Sequence, residues 1–240
     1  MRTSTLSTVA SAGIAATFLA NASPTVALVG AIGRRLTPGL VGLGDPGHVA
    51  LTFDDGPDPA STPLFLDALD RCGVRATFLL LGTMVQQYPA VARQVVSAGH
   101  EIGVHGYRHR YMTWRTRSAV RDDLQRSVDL VGEATGVRPM WFRPPYGALT
   151  LAAQRTARQL ELRPVLWTAW GRDWRPAATP RSVLRDVSRG TLTGGTVLLH
   201  DSDCTSAPGS WQSTLGALPG LVELLGERGL RVGPLAEHGL

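Results

Sequence analysis

From position 48 onward, short β-prone runs alternate with helical stretches, and this alternation limits the fold more than any other feature of the chain. The sequence predicts strands over 48–53, 76–81, 101–104, 140–143, 163–167, 196–200 and 231–232. Helical patterns lie between them at 62–71, 89–98, 117–135, 151–160, 180–189 and 215–228. Gly73 and Gly99 follow two of these helices and Thr179-Pro180 opens another, which are ordinary stop and start signals. Strands separated by helices form parallel βαβ units. At 240 residues the chain has the length of one α/β barrel, and its 43% apolar content supplies a sizeable core. The expected architecture is α/β, a (β/α) barrel of about seven parallel strands over 47–240, with no internal repeat.

The N-terminal region reads differently. Arg2 precedes a segment without charged side chains from Thr3 to Gly33, apolar between Val9 and Ala20, and Ala20-Asn21-Ala22 resembles a signal-peptidase site. Residues 1–22 are therefore expected to be a signal peptide, with a membrane anchor as the alternative. Pro24 interrupts the length that a full span of roughly 20 residues needs. Residues 23–46 read as linker. The expected location is secreted or cell-envelope, with possible membrane or cell-wall association and a cytoplasmic form as the alternative; the expected state is a monomer.

The net charge of +5 comes from arginine alone, since the chain has no lysine. A basic balance suits anionic partners. The arginines are scattered in the sequence, however, without the aromatic interleaving of a nucleic-acid groove, so no nucleic-acid partner is expected. Cys72 and Cys204 match no metal-knuckle pattern. They are expected to be small buried residues, with one disulfide as the alternative in an exported protein.

Chemically competent side chains gather at the ends of the predicted strands. Asp54 and Asp55 follow the first, His105 the third, Arg143 ends the fourth and His200 the sixth. In a parallel barrel these ends share one rim, where active sites form. His105 and His109 have a spacing known from zinc sites; read alone, the pair also suits a polar loop. Asp55 is the natural third ligand, and two imidazoles with one carboxylate leave an open position for water. No glutamate of the HExxH protease pattern is present. Asp54 can then act as general base, although Asp-Asp-Gly-Pro also suits a simple Asx turn. Arg143 can pair with Asp54, or be a surface residue before a Pro-rich turn. His200 can be a general acid, or a satisfied core histidine.

Thr52-Phe53-Asp54-Asp55-Gly56-Pro57, His105-Gly106-Tyr107-Arg108-His109, Arg143-Pro144-Pro145-Tyr146-Gly147, Asp173-Trp174 and Leu198-Leu199-His200 together resemble the five ordered motifs of the polysaccharide deacetylases, carbohydrate esterase family four. The resemblance spans positions 48 to 200. It implies a deformed (β/α) barrel in 47–240 with a divalent metal, usually zinc but also cobalt or nickel, on Asp55, His105 and His109. It further implies Asp54 as base held by Arg143, and the Tyr146 N–H as oxyanion donor. His200 would be the acid, with its pKa raised by Asp173, and Trp174 and Leu198 would line the acetyl pocket. The implied reaction is hydrolysis of N-acetyl groups on a glycan such as peptidoglycan, chitin or a chitooligosaccharide. O-acetyl ester or small-amide hydrolysis, and a catalytically silent glycan-binding domain, are the rival readings. Two positions depart from the family pattern. Gly106 replaces a Ser or Thr that braces the histidine loop, and Trp170 stands where an acid often precedes Asp173 by three residues. His48, His100 and His238 have no motif role and read as structural or incidental.

Overall fold

The computed structural model describes residues 31–240, so the segment read as signal peptide or anchor lies outside the described residues. Two short helices, α1 (Ala31–Leu36) and α2 (Pro38–Val41), lead into the barrel. Its elements are β1 (His48–Asp54), α3 (Thr62–Arg71), β2 (Thr77–Leu80), α4 (Gly82–Gln87), α5 (Pro89–Ser97), β3 (Glu101–Val104) and α6 (Arg117–Thr135). They continue as β4 (Trp141–Phe142), α7 (Leu151–Gln159), β5 (Arg163–Pro164), β6 (Ala169–Trp170), α8 (Pro180–Ser188), β7 (Thr196–His200), α9 (Trp211–Glu227) and β8 (Arg231–Gly233). Every strand pairing is parallel, in the order β5-β4-β3-β2-β1-β7-β6, with β8 beside the first residues of β1. The sheet curls into a barrel left open between β5 and β6, the deformed form that the resemblance implies.

That opening divides the strand expected over 163–167. Only Arg163–Pro164 pairs with β4, and after a turn Ala169–Trp170 pairs with β7. The chain between them finds another partner: Leu166 N–H donates to the Leu40 carbonyl, while Thr196 Oγ1 of β7 donates to the Gly42 carbonyl. Part of the stretch read as linker is thus packed against the barrel, with Val41 buried. Helix α4 was not expected; its sequence, Gly-Thr-Met-Val-Gln-Gln, is too short for an apolar period to show.

The side-chain alternation of the strands produces two different surfaces. Val49, Leu51 and Phe53 of β1 join Ile102, Val104, Phe142, Val197 and Leu199 in the core beneath the helices. Ala50, Leu79, Trp141 and Val165 form a smaller cluster inside the barrel. Because successive side chains alternate faces, Asp54, His105, Arg143 and His200 continue the inward rows of their strands. The inward row of β3 is crowded at Gly103. A Cβ there would lie 2.6 Å from Leu79 Cδ1 and 2.9 Å from the Trp141 carbonyl oxygen.

Overpacking of that kind costs about 1–3 kcal/mol. Gly103→Ala should therefore lower the unfolding free energy by about 2 kcal/mol in urea titration. Gly132→Ala, in α6 with nothing within 4 Å of the added carbon, should not lower it. An unchanged midpoint for Gly103→Ala would contradict this packing.

Candidate active site

At the C-terminal rim, β1 turns sharply after Asp54. Asp55 has φ +79°, a left-handed value uncommon for aspartate, and its carboxylate is fully buried. The turn is held from the loop after β7: Thr205 Oγ1 donates to Asp55 Oδ2, and Cys204 Sγ lies 3.5 Å from the Asp55 carbonyl oxygen. Asp201 is buried beneath the turn and accepts from Thr62 Oγ1 at 2.5 Å and from the Gly56 N–H. Its burial, with Asp55 nearby, pushes its carboxyl up to about 7. Cys204 is exposed and Cys72 half-buried, and both are free thiols, which corrects the expectation of a buried pair: Cys204 sits on the loop at the site mouth.

The histidine loop is braced without the missing hydroxyl. Gly106 has φ +85°, a conformation that strains any residue with a side chain. Asp123 of α6 instead accepts from the Tyr107 N–H at 2.8 Å and from Arg115 at 2.7 Å. His105 Nδ1 lies 2.8 Å from the Arg143 carbonyl oxygen, so Nδ1 carries the proton and Nε2 points into the site with its lone pair. His105 Nε2 and His109 Nε2 lie 3.7 Å and 3.8 Å from Asp55 Oδ1. Those distances are too long for hydrogen bonds, and Asp55 Oδ1 is buried without a hydrogen-bond partner. Burial, with His105 beside it, pushes the His109 imidazole down to about 4, the neutral form a metal ligand needs. One ligand atom from each of the three residues falls within 4.8 Å of the others. Two imidazoles and an orphaned carboxylate oxygen fit a divalent cation, for which a tetrahedral site sets ligand atoms roughly 3.3 Å apart.

Arg143 is fully buried beside this cluster. Its Nη1 donates to Asp54 Oδ1 at 2.7 Å and to Thr52 Oγ1 at 2.8 Å, and its Nη2 donates to the Leu166 carbonyl at 3.1 Å. Asp54 and His200 are register partners on adjacent strands. His200 Nδ1 is 2.9 Å from Asp173 Oδ1, while the His200 N–H and Thr214 Oγ1 both donate to Asp173 Oδ2. Burial alone would depress the His200 imidazole. The Asp173 charge and hydrogen bond, with the Asp55 and Asp54 carboxylates, outweigh it and push the group up to about 10.

Asp54, His105, His109, His200 and Thr205 line one cavity of about 270 Å³. Tyr146, at φ +59°, contributes the first backbone N–H after Arg143 because Pro144 and Pro145 have none. Its ring stacks on Tyr111 at 3.9 Å and packs against His109 at 4.3 Å. Trp174 and Leu198 also line the cavity, joined by Trp167 and Trp170. Every residue singled out from the sequence is thus brought to one cavity or to the groups that brace it. The sequence reading missed Thr205, Asp201, Asp123, Thr214, Trp167 and Tyr111, none of which lies in a recognisable motif. The remaining histidines are elsewhere. His48 and His238 are buried with Nδ1 atoms 2.9 Å apart, and burial pushes His100 down to about 4.

A parallel α/β barrel that carries an Asp-His-His cluster between an arginine-bound carboxylate and a carboxylate-bound imidazole has the construction of a hydrolase. A family profile described as polysaccharide deacetylase matches residues 43–165, over half of the chain. The chain is 34% identical over 191 residues to a peptidoglycan-N-acetylglucosamine deacetylase of Bacillus cereus, covering 79% of this chain and 86% of that one. It is also 34% identical over 197 residues to a chitooligosaccharide deacetylase of Bradyrhizobium, covering 79% and 89%. Among solved structures, wild-type BA3943 of Bacillus anthracis, a CE4 family pseudoenzyme, superposes with a TM-score of 0.73 at 29% identity, covering 80% of this chain and 64% of that longer one. The chain belongs to the polysaccharide deacetylase family. A pseudoenzyme among its relatives makes activity a question for individual residues.

The Asp173–His200 pair gives a test that needs no substrate. A histidine whose folded pKa is raised from about 6.5 stabilises the fold fully below that value, and the contribution disappears as pH rises through the folded pKa. Metal-free protein should therefore lose unfolding free energy between pH 7 and about 10, and Asp173→Asn should flatten that decline. A wild-type profile as flat as the variant's would contradict the pairing.

Proposed function

We propose that the chain is a metal-dependent deacetylase of N-acetylated glycans. The observation that carries this reading is the register pairing of Asp54 with His200 on adjacent strands, beside a cavity they line together with His105 and His109, the two histidines that cluster with Asp55. Asp55, His105 and His109 would hold a divalent cation, zinc foremost, which would supply Lewis-acid polarisation of the acetyl carbonyl and a lowered pKa for bound water.

The chain's own residues account for the remaining chemistry. Trp174 and Leu198 receive the acetyl methyl and orient the carbonyl carbon toward Asp54. The Asp54 carboxylate, fixed by Arg143, removes a proton as water oxygen adds to that carbon. The Tyr146 N–H donates to the developing oxyanion, where a preorganised donor is worth most. His200, protonated and oriented by Asp173, gives its proton to the nitrogen as the carbon–nitrogen bond breaks. An amine departs far more readily than an amide anion, so this proton is needed more for amides than for esters. Acetate and a free amino sugar are the products. Relatives acting on peptidoglycan and on chitooligosaccharides support a glycan as the acyl carrier. Substrates of that kind favour a secreted or cell-envelope location. No helix among the described residues is long and apolar enough to cross a membrane.

Acetate release from an N-acetylated chitooligosaccharide and from peptidoglycan fragments tests the reading. Dialysis against a chelator should abolish release from both, and zinc or cobalt should restore it. Undiminished release by metal-free protein would overturn the metal-dependent mechanism. No release from any acetylated glycan by metal-loaded protein would leave the silent binding domain as the better reading.

A further inference from the structure

Arginines that are scattered in the sequence converge beside the active site. A second cavity, of about 280 Å³, opens next to Trp170 and is lined by Arg34, Arg172, Arg189, Asp186 and Thr191 among others. Trp170 lines this cavity and the catalytic one. Asp186 already binds Arg175 at 2.6 Å, Arg185 at 3.3 Å and Arg189 at 3.5 Å. Arg34 donates to Thr191 at 3.2 Å, and the Arg172 guanidinium lies 5.1 Å from the centre of the Trp170 ring. The cavity lining thus holds three guanidiniums against one carboxylate, and that carboxylate is shared with Arg175 and Arg185 outside the lining. Such an imbalance draws anions, and arginine matches the planar geometry of carboxylate and phosphate oxygens.

Indole rings join this cluster to the catalytic histidine. Trp174 packs against His200 at 5.8 Å, and Trp170 packs against Trp174 at 5.1 Å. Aromatic faces suit the apolar faces of sugar rings as well as the acetyl methyl. An acid at position 170, as the family pattern often has, would repel an anion and offset the arginines; Trp170 does neither.

We propose that the cavity of Arg34, Arg172 and Arg189 binds an anionic substituent, carboxylate or phosphate, on the glycan whose acetyl group enters the catalytic cavity. The proposal rests on the glycan-deacetylase reading and adds to it a preference for acidic glycans. Continuity through Trp170 favours a glycan over an anionic lipid surface.

Calorimetric titration of the metal-loaded protein tests this with three N-acetylated oligosaccharides of equal length: one neutral, one bearing a carboxylate and one bearing a phosphate monoester. At low salt at least one acidic ligand should bind about fivefold more tightly than the neutral one, as expected for partly exposed ion pairs. The advantage should shrink toward unity near 1 M salt, where screening acts within about 3 Å. It should also vanish in the double variant Arg172→Gln, Arg189→Gln. Whichever acid group gains identifies the source. Equal affinity for all three in the wild type, or an advantage that survives high salt or the double substitution, overturns the proposal. So does arginine-dependent binding to phosphatidylglycerol vesicles without any glycan preference. Acetate release measured on the same samples separates the two readings. Acidic preference without release sinks only the deacetylase chemistry, whereas release without preference sinks only the acidic subsite.

Discussion

The site is organised around one buried cation. Arg143 has no exposed surface, and a guanidinium removed from water is strongly destabilising unless paired and fully hydrogen-bonded. Its partners are therefore constrained along with it. Asp54 is held at 2.7 Å, and the Leu166 carbonyl accepts from the same guanidinium where β5 and β6 fail to pair. The Arg143 backbone carbonyl in turn sets the His105 tautomer, so that Nε2 faces Asp55. One residue thereby fixes the proposed base, one proposed ligand and the edge of the barrel opening. Substituting it would leave Asp54 buried without its counter-ion, a loss expected to cost about 3–5 kcal/mol.

The deformation of the barrel and the chemistry have a common origin. A closed eight-stranded barrel fills its interior with side-chain layers. Here Trp167, in the chain between β5 and β6, and Trp170 of β6 line the cavity with Trp174, beside Asp54 and His200. Polar groups and indoles in one cavity suit a substrate with a reactive carbonyl and an apolar acyl end. Arg172 and Arg189 line a second cavity that shares Trp170 with the first.

Much of the site was legible in the sequence, because the alternation of strands and helices is a local property. It placed Asp54, His105, Arg143 and His200 at strand ends, and their common rim followed from parallel topology. Residues that act across long sequence separations were not legible. Thr205 bonds Asp55 from 150 positions away, and Asp123 braces Tyr107 from 16. Neither stands in a motif, and an isolated Thr or Asp carries no signal of its partner. The absent hydroxyl at Gly106 looked like a loss from the sequence alone. With φ at +85° glycine suits the backbone, and Asp123 supplies the brace. The division of the fifth strand was hidden for a similar reason, since pairing with β7 rather than β4 depends on the curl of the whole sheet.

Asp54 and Asp55 are adjacent yet have different proposed work, and Asp54→Asn separates them most directly. Metal content and acetate release should be measured on the same preparation. The variant should keep the metal stoichiometry of the wild type while its turnover falls by about 10²–10⁴, the usual contribution of a general base. Near wild-type turnover, or loss of the metal with the substitution, would contradict this assignment.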